Sequence, residues 1–212
     1  MPPTAGIGTW TSDPVVAVNE KTGAFYYSAL CEPSGTSNGI GVVKGTFSGG
    51  VLTWGTPRLV VSGNYNSVIY DKEWLVADSL SGNLYLIYSR FTVAGGVITT
   101  NRIDFQYTSL DNAFPWSAAV TLSAAGDAGR VQGSRIAMGP AGEVWATWNA
   151  IGGSTLDFMR IRKITAGGTS VGSEQTAVSE YTNFGTGAPG FNRGMGFAFP
   201  GLAVDQIGRA HV

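Results

Sequence analysis

One layout recurs down this chain: an apolar strand, a tight turn closed by glycine, and a second apolar strand. It is clearest in DKEWLVADSLSGNLYLIYSRF (71–91), where Trp74, Leu75 and Val76 lead through Ser81-Gly82-Asn83 into residues 84–88. The same layout stands upstream in DPVVAVNEKTGAFYYSAL (13–30) and downstream in GSRIAMGPAGEVWATWNA (133–150), and a fourth copy opens at FPGLAVD (199–205). The turn glycines are Gly23, Gly82 and Gly142, so 59 residues separate the first pair and 60 the second. A fixed period of that size describes a row of similar units, each burying its apolar faces mainly against its neighbours.

Each unit reads as four short strands. The first has 15–18, 24–30, 40–47 and 52–61; the second 73–77, 84–91, 102–109 and 116–122; the third 135–138, 144–148, 156–164 and 175–179. Alternation is plain in Arg102-Ile103-Asp104-Phe105-Gln106-Tyr107, which puts the apolar side chains on one face. Glycine is plentiful (31 residues) and recurs at turns, as many short hairpins require, and it interrupts every stretch that carries helical spacing. The pattern predicts an all-β chain, a partial β-propeller of four-stranded antiparallel blades at about 13–62, 71–123 and 133–180. The first strand of a fourth blade begins at 199, and the innermost strands are 75–77, 136–138 and 202–204. A β-sandwich with chance likeness between strands is the alternative, and the near-equal spacings weigh against it.

Composition narrows the function classes. Hydrophobic residues make up 43%, enough for a core, and charged residues 13%, about half the usual share, which argues against disorder. Net charge is −1 with no basic run, so a nucleic-acid partner has no electrostatic footprint. The lone Cys31 gives neither a disulfide framework nor a cysteine metal site. Asp71, Asp78, Asp127 and Asp157 lack calcium-loop spacing, and no metal or other cofactor is expected. No stretch approaches a membrane span, and MPPTAG has neither the charged nor the apolar part of a signal peptide.

The segment Ser109-Leu110-Asp111-Asn112-Ala113-Phe114-Pro115-Trp116 resembles the Asp-box of sialidase-like (BNR-repeat) propellers, Ser-x-Asp-x-Gly-x-Thr-Trp. Ser109, Asp111 and Trp116 match, while Ala113 and Pro115 replace the Gly and the Thr. Ser48-Gly49-Gly50-Val51-Leu52-Thr53-Trp54 is a more degraded copy without the Asp, and Ala166-Gly167-Gly168-Thr169 lacks both Asp and Trp. The resemblance implies a structural box: the Asp accepts hydrogen bonds from the turn's own amides and the Trp plugs the hairpin against the neighbouring sheet. It also implies a parent of six blades, an extracellular or cell-surface location, and glycans or anionic sugars as ligands.

Hydrolases of that family hold a carboxylate with three arginines and use an Asp acid/base and a Tyr nucleophile paired with a Glu. Ligand-face candidates on the corresponding loops are Asp71, Glu73, Arg90, Arg135 and Arg193. Ser134-Arg135-Ile136-Ala137 resembles the family's Arg-Ile-Pro with Ala137 in place of Pro; the alternative is a surface arginine beside an inner strand. Tyr70 beside Asp71 and Glu73 has the composition of a nucleophile and its base, but a tyrosine beside a strand entrance more often serves packing. No full catalytic set can be assigned. Two readings stay open: a glycan- or protein-binding module without catalysis, and a truncated exo-sialidase-like hydrolase.

The tail Ile207-Gly208-Arg209-Ala210-His211-Val212 is what a widely used short-read sequencing adapter encodes in one frame, followed there by a stop codon. Residues 206–212 are therefore expected to be read-through, with 1–205 the propeller fragment; a native blade turn at Gly208-Arg209 is the alternative. An unclosed row of blades leaves apolar faces wet. The 212-residue chain expressed alone is expected to dimerise or aggregate, so light scattering behind a sizing column should report more than one chain's mass.

Overall fold

The computed structural model describes residues 1–108, 115–151, 157–165, 167–180 and 199–212. Apart from one 3-10 turn at Ala125–Asp127, the regular structure among them is strand.

In the first sheet, β1 (Thr9–Trp10) and β2 (Val15–Asn19) both pair with one edge of β3 (Ala24–Ser34). Strand β4 (Ser37–Ser48) pairs with the other edge of β3, and its own far edge takes β5 (Val51–Trp54) and β6 (Arg58–Asn64). Six strands thus fill four positions, with the innermost and outermost each interrupted. The sequence suggested one outer strand at 52–61; Pro57 breaks it because proline has no amide to offer the ladder.

The second sheet runs β7 (Val68–Ala77), β8 (Leu84–Ala94), β9 (Val97–Thr108) and β10 (Val120–Thr121). Its last strand, expected over 116–122, shrinks to two residues. The third sheet is β11 (Val131–Met138), β12 (Val144–Ala150), β13 (Asp157–Ile164) and β14 (Gln175–Glu180). A last hairpin joins β15 (Ala203–Val204) to β16 (Ala210–His211) around Asp205, which accepts from the amides of Ile207 and Arg209. All ladders among the described residues are antiparallel.

Hairpin turns follow the expected chemistry. Gly23, Gly82 and Gly142 stand at φ 71°, 80° and 83°, where a side chain would be strained. Asn19 caps its turn by accepting from the amides of Lys21 and Thr22, and Asp78 does the same for Leu80.

Strands β2, β7, β11 and β15 pack against one another in succession, so the first strand of each unit is the inner one. Two seams carry the core. Ala24, Tyr26, Ile40 and Val42 meet Tyr70, Leu84, Leu86 and Tyr88 in the first; Tyr85, Ile87, Ile103 and Phe105 meet Val144, Ala146 and Trp148 in the second. Each large side chain buried this way contributes roughly 1.5–3 kcal/mol.

A repeated amide fastens each seam. Asn38 on β4 donates to the carbonyl of Val68 at 2.7 Å and accepts from the amide of Tyr70 at 2.9 Å, pairing with β7 as a backbone would. Asn101 on β9 does the same to β11, donating to the Val131 carbonyl at 2.7 Å and accepting from its amide at 3.1 Å. Both side chains are buried. An Asn101→Leu change keeps the volume but strands two buried backbone groups, and should lower unfolding stability by about 2–4 kcal/mol in urea titration. A loss below ~0.5 kcal/mol would mean that water takes over both bonds.

Candidate functional site

The inner strands share an irregularity at one end. Register slips between Asp71 and Trp74 on β7 and between Gln132 and Arg135 on β11, and residues 11–14 form the matching interruption between β1 and β2. Each slip contains one left-handed residue: Asp13 at φ 54°, Lys72 at φ 54° and Gly133 at φ 70°. For glycine this is free; for Asp and Lys it costs on the order of 1–3 kcal/mol. A bulge of this kind re-aims the side chains beside it.

The re-aimed groups meet across blades. Lys72 Nζ lies 2.6 Å from Asp13 Oδ2 and 3.9 Å from Asp71 Oδ1. Gln132 Nε2 donates to Asp71 Oδ2 at 3.1 Å, and the Ser134 hydroxyl donates to the Lys72 carbonyl at 3.2 Å. The Arg135 guanidinium lies 4.0 Å from the centre of the Trp74 ring and donates to the Ser134 carbonyl at 3.1 Å. Beside these groups opens a cavity of about 220 Å³, lined among others by Asp13, Pro14, Lys72, Trp74, Arg135 and Phe199. Phe199 lies against the face of Gly133, in space that a side chain there would need.

Glu73 also borders this cavity, yet its carboxyl is buried, with neither oxygen hydrogen-bonded to another residue. Burial pushes it up to about 9; its own backbone amide pulls down, Asp13 and Asp71 push up, and Lys72 pulls down. It is therefore uncharged at neutral pH. On β3, burial raises the Tyr27 hydroxyl and takes the Cys31 thiol to about 12, with Glu73 adding to both. Burial also raises Asp71, against the pull of Lys72, and lowers Arg135, against the opposing pull of Asp13.

Among the residues singled out in the sequence, Asp71, Glu73 and Arg135 come together at this end. Arg90 does not. It pairs in register with Tyr70 and Arg102, shares their sheet face toward the first blade, and meets the Tyr70 hydroxyl. Arg193, Ser109 and Asp111 lie outside the described residues. Trp116 is half-buried against the first seam. Asp13 and Trp74 were missed as site residues. The signal for Asp13 was available, since it stands 59 residues before Lys72, one full period.

The opposite end of the inner strands holds a wider cavity of about 440 Å³ with Glu20, Asp78 and Asp205 on its wall. Asp78 and Asp205 are occupied by the amides of their own turns.

Neither a family model nor a curated protein matches the chain. Among solved structures, the Hadza microbial sialidase Hz136 superposes with a TM-score of 0.59 at 12% identity, over 78% of this chain and 37% of that one. Penicillium chrysogenum alpha-L-arabinanase, complexed with arabinobiose, superposes with a TM-score of 0.54 at 13% identity, over 80% of this chain and 51% of that one. The chain thus spans between a third and about half of these proteins' lengths. The likeness is one of fold, and the fold is the β-propeller.

The state of Glu73 carries a stability consequence. Its folded pKa, about 9, lies above the ordinary 4.5, so the folded chain binds the extra proton. Its contribution is full below about pH 4.5 and is lost as pH rises toward about 9. Unfolding stability should fall across that window by up to ~1.4 kcal/mol per pH unit. Denaturation of Glu73→Gln against pH should show this slope removed; an unchanged slope would mean that the carboxyl is already solvated.

Proposed function

We propose that this chain is part of an exported sialidase-like propeller, and that the bulged end of its inner strands binds a glycan without turning it over. The observation that carries this reading is the Asp13–Lys72–Trp74–Arg135 cavity. It combines two aromatic residues, Trp74 and Phe199, with hydrogen-bond donors and a carboxylate acceptor, the mixture that a sugar with apolar faces and hydroxyl edges requires. Two side-chain-bearing residues are held there at positive φ, an expense that clusters at ligand sites. The superposed sialidase and arabinanase share this fold and are named for action on glycans, which supports the reading.

The groups at hand support binding over catalysis. Glu73 keeps a proton at neutral pH, as a general acid must, and this favours the hydrolase reading. However, both of its oxygens are buried, where a glycosidic oxygen cannot reach them. Burial raises the Tyr70 hydroxyl, the opposite of what activates a nucleophile, and Arg90 offsets only part of that rise. The purified chain should therefore release no fluorophore from a fluorogenic sialoside above background, while a glycan array should retain it. Turnover that disappears in Arg135→Ala would overturn the binding-only reading and make Arg135 an active-site residue.

A further inference from the structure

The charge balance of the bulged cavity points to a class of sugar. A site that selects an anionic sugar presents guanidinium groups converging on a carboxylate, free to bind it in bidentate fashion. Here Arg135 is the one arginine on the cavity wall among the described residues, and it is stacked on Trp74 and donates to the Ser134 carbonyl. Arg90 is turned away toward Tyr70. The second cation, Lys72, is already paired with Asp13 at 2.6 Å and has Asp71 at 3.9 Å. Two carboxylates therefore balance two cations, and the nearer carboxylate, Asp13, lines the cavity itself. An incoming carboxylate would face Asp13 and would have to break the Lys72 pair. A hydroxyl has no such conflict: it can donate to Asp13 and accept from Arg135 while the sugar's apolar face lies against the Phe199 ring on the same wall. The volume, about 220 Å³, suits a single sugar ring.

Resting on the glycan-binding reading, we propose that this cavity takes an uncharged sugar residue rather than an anionic one, with Asp13 as the acceptor that determines the choice. The strained backbone at Asp13 fixes that carboxylate relative to Trp74, and its pairing with Lys72 ties the first two blades together at the cavity wall.

The test uses the whole chain and three probes: arabinobiose, lactose and sialyllactose, titrated by NMR at low and high salt. The expected result is that a neutral disaccharide binds at least as tightly as sialyllactose and is insensitive to salt. Asp13→Asn should weaken the neutral sugar by about tenfold, the loss of one hydrogen bond to a charged acceptor. Asn tolerates the left-handed backbone, and Arg135→Ala serves as a second probe of the same wall, expected to weaken neutral sugar as well. Tighter binding of sialyllactose, weakened by salt and lost in Arg135→Ala, would overturn the neutral-sugar choice and leave glycan binding standing. Sugar binding untouched by both substitutions would overturn the assignment to this cavity. Failure of all three probes to bind the folded chain would sink this proposal together with the glycan-binding reading.

Discussion

A sheet that is apolar on both faces cannot stand alone, and the blades here solve that problem mainly against one another. Counting from the turn glycine, Phe25, Leu84 and Val144 occupy one position, Tyr27, Leu86 and Ala146 the next on that face, and Ala29, Tyr88 and Trp148 the third. In the second and third blades these side chains are buried against the preceding sheet. In the first blade the same face is covered from within the unit. Trp10 from β1 and Trp54 from β5 pack edge-on to Tyr27, and their rings lie over Gly41 and Gly45, where no side chain intrudes. The interruptions that turn four strand positions into six strands are what supply those two tryptophans.

The seams also dictate where a site can form. Asn38 and Asn101 give the start of the next inner strand a side-chain partner in place of a backbone one, which holds it in register above the bulge. Below that anchor the strand can afford a left-handed residue, because the ladder resumes at Trp74 and Arg135. Such a residue alternates out of the pleat and turns its neighbours toward the axis side. The strain is concentrated at one end of successive blades, and the Asp13–Lys72 pair joins two of the strained positions directly. Stability in the seams thus underwrites irregularity at the cavity.

Much of the fold was legible because glycine, asparagine and aspartate carry turn chemistry that reads locally. The period of Gly23, Gly82 and Gly142 gave the units, and the inner strands at 75–77 and 136–138 fall within β7 and β11. What escaped was non-local. The break at Pro57 was visible as a residue but not as a division between β5 and β6, since residues 52–61 are apolar enough for one strand. Strand β7 begins at Val68, earlier than alternation suggested, because Asn38 completes its hydrogen bonds from another blade. The bulges were harder to read: Asp13 is of a type that tolerates positive φ, but Lys72 does not announce it, and packing around the axis imposes it there. The site was therefore half legible: Asp71, Glu73 and Arg135 were recognised, Asp13 and Trp74 were not, and the directions of all five were unknown.

Direction is what decides between an anion clamp and the cavity found here. Arg90 and Arg135 both lie at the bulged end of their sheets, and a reading by height alone groups them. Strand position separates them. Arg90 belongs to β8, a second strand, opposite Tyr70 in the ladder, so its side chain is committed to the seam between the first two blades. Arg135 belongs to an inner strand immediately after a bulge, which frees its side chain to cross to Trp74 on the neighbouring inner strand. A clamp of converging arginines in this architecture would therefore draw on inner strands just after their bulges, and the equivalents of Arg135 in the first two blades are Val15 and Trp74. Their identities put an apolar wall where further guanidinium groups would have to stand, and the same wall is what a sugar's apolar face would need.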